Sequence, residues 1–183
     1  MANTVNNVNV GKPLATGAVF YGATSLTLPT DATTSLASGF KAVGYVSEDG
    51  VTNTNSPETD LVHAWGGDVV MALQTSRDDV FTFTLIESAN ADVLKAVYGD
   101  DAVTTGTGTI SVSASQASLE ARAWVIDMVL RNGGVKRIVI PNAVITEVGD
   151  ITYKDDEIIG YPLTLTCMPD SSNKTHYEYI STT

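Results

Sequence analysis

An alternation of apolar and polar side chains with a period of two runs through the longest apolar segments of this sequence. In residues 80–87, VFTFTLIE, two phenylalanines and a leucine share one face, and two threonines share the other. In residues 122–130, RAWVIDMVL, both faces are largely apolar, so this segment is either a central strand or meets another subunit with one face. Because such alternation predicts strands, the chain is expected to fold around β-sheets.

Turn-forming residues separate the predicted strands. Residues 131–134, RNGG, contain an Asn-Gly pair, which is the strongest short-range signal for a hairpin. The strand that returns from this turn reaches Pro141. A proline cannot donate a hydrogen bond to a ladder, so Pro141 marks an edge, a bulge or the end of a strand.

A second connection is predicted at residues 76–79, SRDD, which are expected to join strands at 69–75 and 80–87 as a short hairpin turn. Aspartate and serine favour turns because their side chains bond to nearby backbone groups. Further strands are predicted at residues 40–47, 109–115, 143–153 and 161–168.

One segment, residues 89–101, follows a helical pattern instead. Asn90 is suited to cap the N-terminus of a helix, and Gly99 is suited to cap its C-terminus. Four apolar side chains between them share one helix face: Val93, Leu94, Val97 and Tyr98. Many strands with one short amphipathic helix predict a mainly β fold, a β-sandwich or barrel with the helix packed on its outside. The length predicts a single domain over residues 1–183.

Three polar segments escape the strand pattern: residues 1–16, 47–67 and 169–183. The middle segment has no Lys or Arg, and a loop of this length inside a compact domain is generally functional or disordered. A monomer gains nothing obvious from three such extensions, whereas flexible arms of an assembling subunit order on a neighbour. We therefore expect an N-terminal arm, a long assembly loop and a C-terminal tail.

The balance of charge limits the partners of the chain. It has 21 acidic and 10 basic residues, and its formal net charge is −11. Gripping of a phosphate backbone depends on Lys and Arg, so specific binding of nucleic acid is disfavoured. A negative surface is also what a protein needs if DNA must pass without adhering, and charge alone does not separate these two interpretations.

The sequence also predicts a compartment. It opens without a basic stretch followed by an apolar run, and no apolar stretch approaches the roughly 20 residues that span a bilayer. We therefore expect a soluble protein with no membrane partner, made in the cytoplasm. Cys167 is the only cysteine, which fits a reducing compartment. It shares a face of its predicted strand with Tyr161 and Leu163, so a buried structural thiol is favoured over a nucleophile.

No motif points to catalysis, to a metal ion or to a cofactor. His63 and His176 have no paired ligands and are interpreted as solvated loop residues. The acidic clusters at 78–79, 99–101 and 154–157 fall at predicted turns and lack the alternating pattern of a calcium loop. A Ser–His–Asp triad is recognised by geometry, and the sequence leaves it open, although no nucleophile elbow supports one. We therefore predict no catalytic residue, no metal ligand and no cofactor.

Three pieces of the chain carry a resemblance to a known family. They are GYVSEDGVTNT at 44–54, RIVIPNAVITEVGDITYKDDEIIGYPLTLTCMPD at 137–170 and HYEYI at 176–180. Over nearly its whole length the sequence resembles the major tail protein, the tail tube subunit, of long-tailed bacteriophages. Relatives of that family build the tubes of contractile tails and of type VI secretion systems on a similar fold.

The resemblance implies an architecture and a set of partners. Six subunits would form a ring whose inner strands join into a continuous barrel, and the rings would stack into a tube. The 47–67 loop and the terminal arms would reach neighbouring subunits. The implied partners are other copies of the chain, the tape measure protein, the tail terminator and the distal tail or baseplate proteins. Phage DNA would pass through the lumen without specific binding, inside the virion tail of a phage assembled in the host bacterial cytoplasm.

Charges and one aromatic side chain mark the expected contacts between subunits. Three bases at or near predicted hairpin turns could meet acids of the 47–67 loop on a neighbour. The candidate interface residues are Glu48, Asp49, Glu58, Asp60, Trp65, Arg77, Lys136 and Arg137.

Three alternatives stay open at this point. A tail terminator or connector would form a ring without polymerising. A carbohydrate-binding β-sandwich would need an aromatic platform, for which Trp65, Tyr177 and Tyr179 are available. An enzyme is the third.

Overall fold

Eleven strands and one α-helix make up the part of the chain that the computed structural model describes, residues 4–15 and 17–182. Short 3-10 turns lie at Val5–Asn7 and Asp100–Ala102. Residues 1–3, 16 and 183 of the two predicted terminal segments lie outside the described residues. In chain order the elements are β1 (Gly11–Pro13), β2 (Val19–Ala23), β3 (Lys41–Ala42), β4 (Val46–His63), β5 (Val69–Leu85), α1 (Ala91–Tyr98), β6 (Val103–Gly106), β7 (Thr109–Val112), β8 (Arg122–Leu130), β9 (Val135–Val148), β10 (Tyr161–Cys167) and β11 (Tyr177–Ser181).

Nine of these strands form one antiparallel sheet in the order β3–β2–β8–β9–β10–β5–β4, with β1 also paired to β8 and β11 also paired to β9. β6 and β7 form a separate hairpin. The described chain is mainly β with one α-helix, so the predicted fold class is confirmed.

The large sheet curls around its core. β8 and β5 are separated by two strands, which in a flat sheet would place them about 14 Å apart. The rings of Trp124 on β8 and Phe83 on β5 nevertheless lie with their centroids only 5.8 Å apart. Tyr21, directly opposite Trp124 on β2, places its ring centroid 5.5 Å from that of Trp124. The sheet therefore bends until its two halves face each other, as expected for a sandwich or barrel.

The helix covers one side of this core, as the sequence predicts. The Asn90 side chain caps it by accepting a hydrogen bond from the Asp92 amide at 2.9 Å, and Gly99 ends it with a positive φ of 94°. Four side chains of the helix are buried: Val93, Leu94, Ala96 and Val97. Tyr21 ties the sheet to the helix, because its hydroxyl donates to the Asp92 carbonyl at 3.0 Å.

β8 is a central strand, which decides between the two interpretations of its apolar faces. One face meets the core through Trp124, and the other buries Val125 and Asp127. The chain itself covers this second face, because Arg137 reaches from β9 to the carbonyls of Asp31 and Thr34 in the long connection between β2 and β3. The second face of β8 is therefore filled within one subunit.

The prediction that residues 47–67 form a loop is wrong. Residues 46–63 form β4, which pairs with β5 at Val46 and again from Val51 to His63, and only residues 64–68 turn. Residues 46–63 show no alternation that would predict a strand, because pairing with β5, and not packing against the hydrophobic core, decides their conformation. Pro57 is tolerated because β4 lies at the edge of the sheet, where one side needs no backbone donor. Whether the segment serves assembly stays a prediction.

The turn predicted at 76–79 is also wrong. These four residues lie inside β5 and pair with residues 55–58 of β4. Serine and aspartate favour a turn locally, but a paired partner strand satisfies the same backbone groups and overrides that preference. β5 therefore runs unbroken for 17 residues.

The hairpin at 131–134 is confirmed, and Pro141 marks a bulge. Trp124 lies opposite Ile140, whereas Arg122 lies opposite Ala143, so β9 contains one extra residue here. An extra residue bends a strand and increases its twist. The part of β9 before the bulge pairs with β11, and the part after it pairs with β10.

Parts of both predicted terminal segments belong to the subunit's own sheet. Gly11–Pro13 pair with β8, and Tyr177–Ser181 pair with β9. These stretches are therefore not free extensions, although they lie within the expected arm and tail.

Candidate assembly interface

A two-stranded arm projects from the sheet. Beyond the pair Asn55 and Asp79, β4 and β5 continue only with each other, and we call residues 55–79 the arm. Every residue from Ser56 to Thr75 is solvent-exposed, so this part of the arm packs on nothing within the subunit. At about 3.3 Å per residue the arm extends about 35 Å.

The outer part of the arm, residues 59–74, exposes large apolar side chains, and we call it the arm tip. They are Leu61, Val62, Trp65, Val69, Val70, Met71 and Leu73. Trp65 lies in the turn and is fully exposed, at 107%. Gly66 and Gly67 form that turn with φ values of 120° and 97°, which side chains rarely adopt. An isolated hairpin is at best marginally stable in water, and a contiguous exposed apolar patch marks an interaction site.

The root of the arm is fixed by a buried carboxylate. Asp79 is only 1% exposed and accepts a hydrogen bond from Nδ2 of Asn53 at 2.8 Å. Its second oxygen lies 2.5 Å from Nδ1 of His176. Burial by itself raises the pKa of Asp79, but hydrogen bonds from Thr175, Asn53 and His176 outweigh it and hold that pKa below its ordinary value. The carboxylate therefore joins both arm strands to the segment that precedes β11.

His176 corrects the expectation of a solvated loop residue. Its ring packs edge-on against Phe81, with centroids 5.5 Å apart, while its Nδ1 faces Asp79. These two residues are about 100 positions away in sequence, so no local pattern indicates the contact. His63, at the end of β4, is exposed as expected.

The structure brings four of the predicted interface residues together on the arm: Glu58, Asp60, Trp65 and Arg77. Arg77 lies within a strand and not at a turn, and its Nε donates to the Asn55 side chain at 2.5 Å. Glu48 and Asp49 lie on β4 before the arm begins. Their role in contacts between subunits stays a prediction.

The other two predicted interface residues are already engaged within the subunit. Lys136 forms an ion pair of 2.8 Å with Glu178 on β11 and keeps partial exposure. The expectation that Arg137 lies on the surface is wrong, because its side chain is buried and paired with Asp127 on β8. Arg137 is near a turn in the sequence, but the alternation of side chains along β9 points it to the same covered face of the sheet as Asp127.

A group of bases lies at one end of the sheet. Gly11 pairs with Leu130 and Ser181 pairs with Val135, so β1, the β8–β9 turn and the end of β11 meet there. This location carries Lys12, Arg131 and Lys136, which we call the basic end. Lys12 and Arg131 are exposed, and neither forms an ion pair with a described residue.

A family model described as phage tail tube protein matches residues 1–183, the whole chain. The chain belongs to the phage tail tube protein family. The family resemblance expected from the sequence is thus confirmed, and the protein is a structural component of the phage tail.

Comparison with solved structures finds the anti-feeding prophage cap, a tube-terminating cap determined by cryo-EM. The two chains share 12% identity, with a TM-score of 0.48, over 99% of this chain and 100% of the other. No curated protein matches the sequence.

In this tail tube protein Cys167 is buried, as the sequence predicts, and burial together with the nearby Asp79 carboxylate raises its pKa to about 12. Within residues 4–15 and 17–182 no three His, Cys, Asp or Glu side chains are grouped to hold a metal ion. The single α-helix of the described chain is too short and too polar to cross a membrane.

Proposed function

We propose that many copies of this chain assemble, by docking their arms on one another, into rings of six that stack into the tail tube. The observation that carries the proposal is the exposed arm, whose tip presents seven large apolar side chains to solvent in the free subunit. Membership of the tail tube protein family supports it.

Burial of the arm tip supplies free energy that favours docking, but the amount is limited. Full burial of one large apolar side chain stabilises by about 1.5–3 kcal/mol. Since most of the seven are about half exposed, their burial contributes about 6–10 kcal/mol in total. Association of two proteins costs about 4–15 kcal/mol in lost freedom. The tip alone therefore roughly offsets this cost, and further contacts are required for a stable tube.

The sheet supplies a further kind of contact in this proposal. β3 and β4 end the main strand order, and β1 and β11 each pair with one strand only. A strand that is paired on one side leaves one row of backbone donors and acceptors without a partner strand. Pairing of such edges between neighbours closes a ring, and a repeated head-to-tail contact between rings extends a filament. Both operations together generate a tube.

The tube would conduct DNA during delivery into the host cell. The net charge of −11 per subunit supports this part of the proposal, because a negative lumen repels phosphates and lets the genome slide. The proposed partners are the tape measure protein, the tail terminator and the distal tail or baseplate proteins. The subunit would have no catalytic activity and would be made in the host cytoplasm.

The three aromatic side chains that a carbohydrate-binding site would use do not lie together. Tyr177 and Tyr179 stack with centroids 6.3 Å apart on β11, but Trp65 lies in the turn at the far end of the arm. The Tyr177 hydroxyl is also engaged, since it donates to Asp170 at 2.6 Å. A tail terminator or connector remains the second candidate, and it would form rings that do not stack.

Electron microscopy of the purified protein tests the proposal. We expect rings and tubes at high concentration, alone or after addition of the tail initiation complex. A variant in which an Asn-Gly turn replaces residues 60–73 keeps Thr59 opposite Gln74 and should keep its fold, because the replaced residues pack on nothing in the subunit. It should no longer polymerise. The matched control is Lys154→Ala with Glu157→Ala, which removes an exposed ion pair elsewhere.

Two outcomes would contradict the proposal. The first is wild-type protein that stays monomeric at high concentration with the initiation complex present. The second is normal polymerisation of the shortened variant. Rings that never stack would favour the terminator or connector.

A further inference from the structure

The two ends of the large sheet carry opposite charges. β9 connects them, and its 14 residues span about 40 Å. Lys136 lies beside the first residue of β9, at the basic end, whereas Glu147 lies beside the last residue, Val148. Charge is therefore distributed unevenly along the direction of this strand.

Several strands meet at the end that carries Glu147. β5 and β9 finish there and β4 and β10 begin there, because Val46 and Tyr161 both lie opposite Leu85. The loop 149–160 follows β9 at the same place, and its base, Lys154, is already paired with Glu157. We call this region the acidic end. Its exposed acids that form no ion pair with a described residue are Glu48, Asp49, Glu147, Asp150, Asp155 and Asp156.

The acidic end also exposes large apolar side chains. Tyr45, Tyr153 and Ile158 expose 75%, 69% and 69% of their area. β4 leads away from this end into the arm, and the arm packs on nothing in its own subunit, so it leaves these side chains uncovered. Exposed apolar area with a polar rim is typical of a surface that binds another protein.

The basic end combines the same two features with the opposite charge. Val10, which directly precedes β1, and Ile180, which lies opposite Lys136, expose 60% and 56% of their area. Lys12 and Arg131 are exposed, and neither has an ion pair within the described subunit. Each end thus offers apolar area next to charges that the subunit itself does not neutralise.

These charges decide which ends can meet. Two acidic ends would repel each other, and so would two basic ends, so a symmetric contact between like ends is disfavoured. A contact between unlike ends is attractive, and it leaves one free end of each kind. Such a contact repeats without closing and builds a filament of one polarity. This complementarity identifies another copy of the chain as the occupant of the acidic end.

We propose that the acidic end of each copy docks on the basic end of a copy in the next ring, and that this contact stacks the rings head to tail. The inference rests on the proposed function and adds the two surfaces and the direction of stacking. The contact removes the apolar side chains of both ends from water and supplies carboxylates to Lys12 and Arg131. A finished tube then presents acidic ends at one terminus and basic ends at the other.

Charge reversal at each end tests the contact. Lys12→Glu with Arg131→Glu makes the basic end acidic, and Asp155→Lys with Asp156→Lys makes the acidic end basic. All four side chains are exposed, so the melting temperature should change little. Each double variant should still form single rings in electron micrographs. The tubes recovered by sedimentation should fall by about tenfold or more, because like charges now meet.

Net charge alone cannot produce this pattern. Two reversals change the charge by four units, from −11 to −15 in the first double variant and to −7 in the second. If overall repulsion governed assembly, the second variant would polymerise better than wild type. The matched control combines all four substitutions, which returns the net charge to −11 and exchanges acid and base between the two ends. Tubes should recover in this fourfold variant.

Three outcomes would overturn the inference while wild type still assembles. The first is a wild-type yield of tubes from either double variant. The second is loss of the rings together with the tubes, which would place these ends inside a ring. The third is a folded fourfold variant that forms rings but no tubes, which would assign the acidic end to a different tail protein. Failure of the wild-type protein to assemble would instead contradict the proposed function itself.

Discussion

Arg137 on β9 lies directly opposite Asp127 on β8, and the two side chains form a bidentate ion pair that is almost fully buried. Nε donates to Oδ1 at 2.6 Å and Nη2 donates to Oδ2 at 2.8 Å. The remaining nitrogen, Nη1, donates to the carbonyls of Asp31 and Thr34 at 3.1 and 2.7 Å. One guanidinium thus fastens the connection between β2 and β3 onto the sheet.

Removal of one partner of this pair should be costly. We expect Asp127→Ala to lower the free energy of unfolding by about 3–5 kcal/mol, because it leaves a buried guanidinium without its counterion. The double variant Asp127→Leu, Arg137→Met should recover most of the loss, since apolar pairs of similar volume often replace buried ion pairs without penalty. Urea unfolding measures both. A loss below about 1 kcal/mol in the single variant would show that the site is open to water.

Acid should weaken the root of the arm through Asp79. Its pKa is lower in the folded protein than the ordinary value of 3.8, so its ionised form stabilises the fold fully above pH 3.8. That contribution disappears as the pH falls from there through the folded-state pKa. Asp79→Asn should destabilise by about 1–3 kcal/mol at pH 7, and the difference from wild type should shrink below pH 4.

Thermal melts between pH 2 and 7 measure this difference. Asp31, whose pKa is lowered to about 2 by hydrogen bonds from Thr34 and Thr33, titrates in the same range. It is present in both proteins and cancels in the comparison. If the melting temperatures of wild type and Asp79→Asn differed by the same amount at every pH from 2 to 7, Asp79 would not contribute to acid sensitivity.

The two tryptophans should report assembly in opposite ways. Trp124 is 1% exposed in the core, whereas Trp65 is fully exposed in the turn of the arm. Emission of the free subunit should therefore contain a red component from Trp65 that acrylamide quenches. This component should shift to the blue and become protected in tubes. Trp65→Phe should keep the emission of Trp124 and lose the shift, and a red component that survives in wild-type tubes would show that the turn stays in water.

Arg131 should matter for assembly and not for folding. Because its side chain is exposed and unpaired within the described subunit, Arg131→Glu should change the free energy of unfolding by no more than about 0.5 kcal/mol. It should raise the concentration required for polymerisation by repelling the acidic end of a neighbouring copy. Sedimentation across a concentration series measures this effect. The control Lys154→Glu reverses a charge in another loop, and an equal effect there would point to net charge alone.

Moderate salt should promote polymerisation. Each subunit contributes a net charge of −11, and salt near 0.15 M screens exposed charges beyond roughly 8 Å. Repulsion over long distances should fade while close pairs weaken less. Light scattering against salt concentration measures the balance. A steady decline of scattering with salt would mean that attraction between charges dominates assembly.

Local signals in the sequence predicted the parts of the fold that local physics decides. Alternation predicted β8 and β10, Asn90 and Gly99 predicted both ends of the helix, and the Asn-Gly pair predicted the β8–β9 hairpin. The pairing of Asp127 with Arg137 was also accessible, because each lies five residues from Asn132 at the turn. Equal distances from a hairpin turn place two residues opposite each other.

Long-range partners decided the rest. β4 is polar and unpatterned, and it is extended because β5 lies beside it, so no property of residues 46–63 alone predicts a strand. The same holds for the contact between Asp79 and His176, whose positions only the complete sheet brings together. The register of β4 on β5 is likewise not specified by the sequence when the pairing itself is unforeseen.

The exposed tip has a consequence for the kinetics of growth. In the proposed assembly, two free subunits that collide would cover only part of each other's tip, whereas the end of a growing tube would offer a ready-made surface. We therefore expect the first few associations to be unfavourable and later additions to be favourable, which gives a lag phase that preformed ends abolish. We expect Asp60 and Asp68 to lengthen this lag, because like charges keep free tips apart. Under the proposed function, a cell would hold a large stock of dispersed subunits until an initiation complex determines where, and when, polymerisation begins.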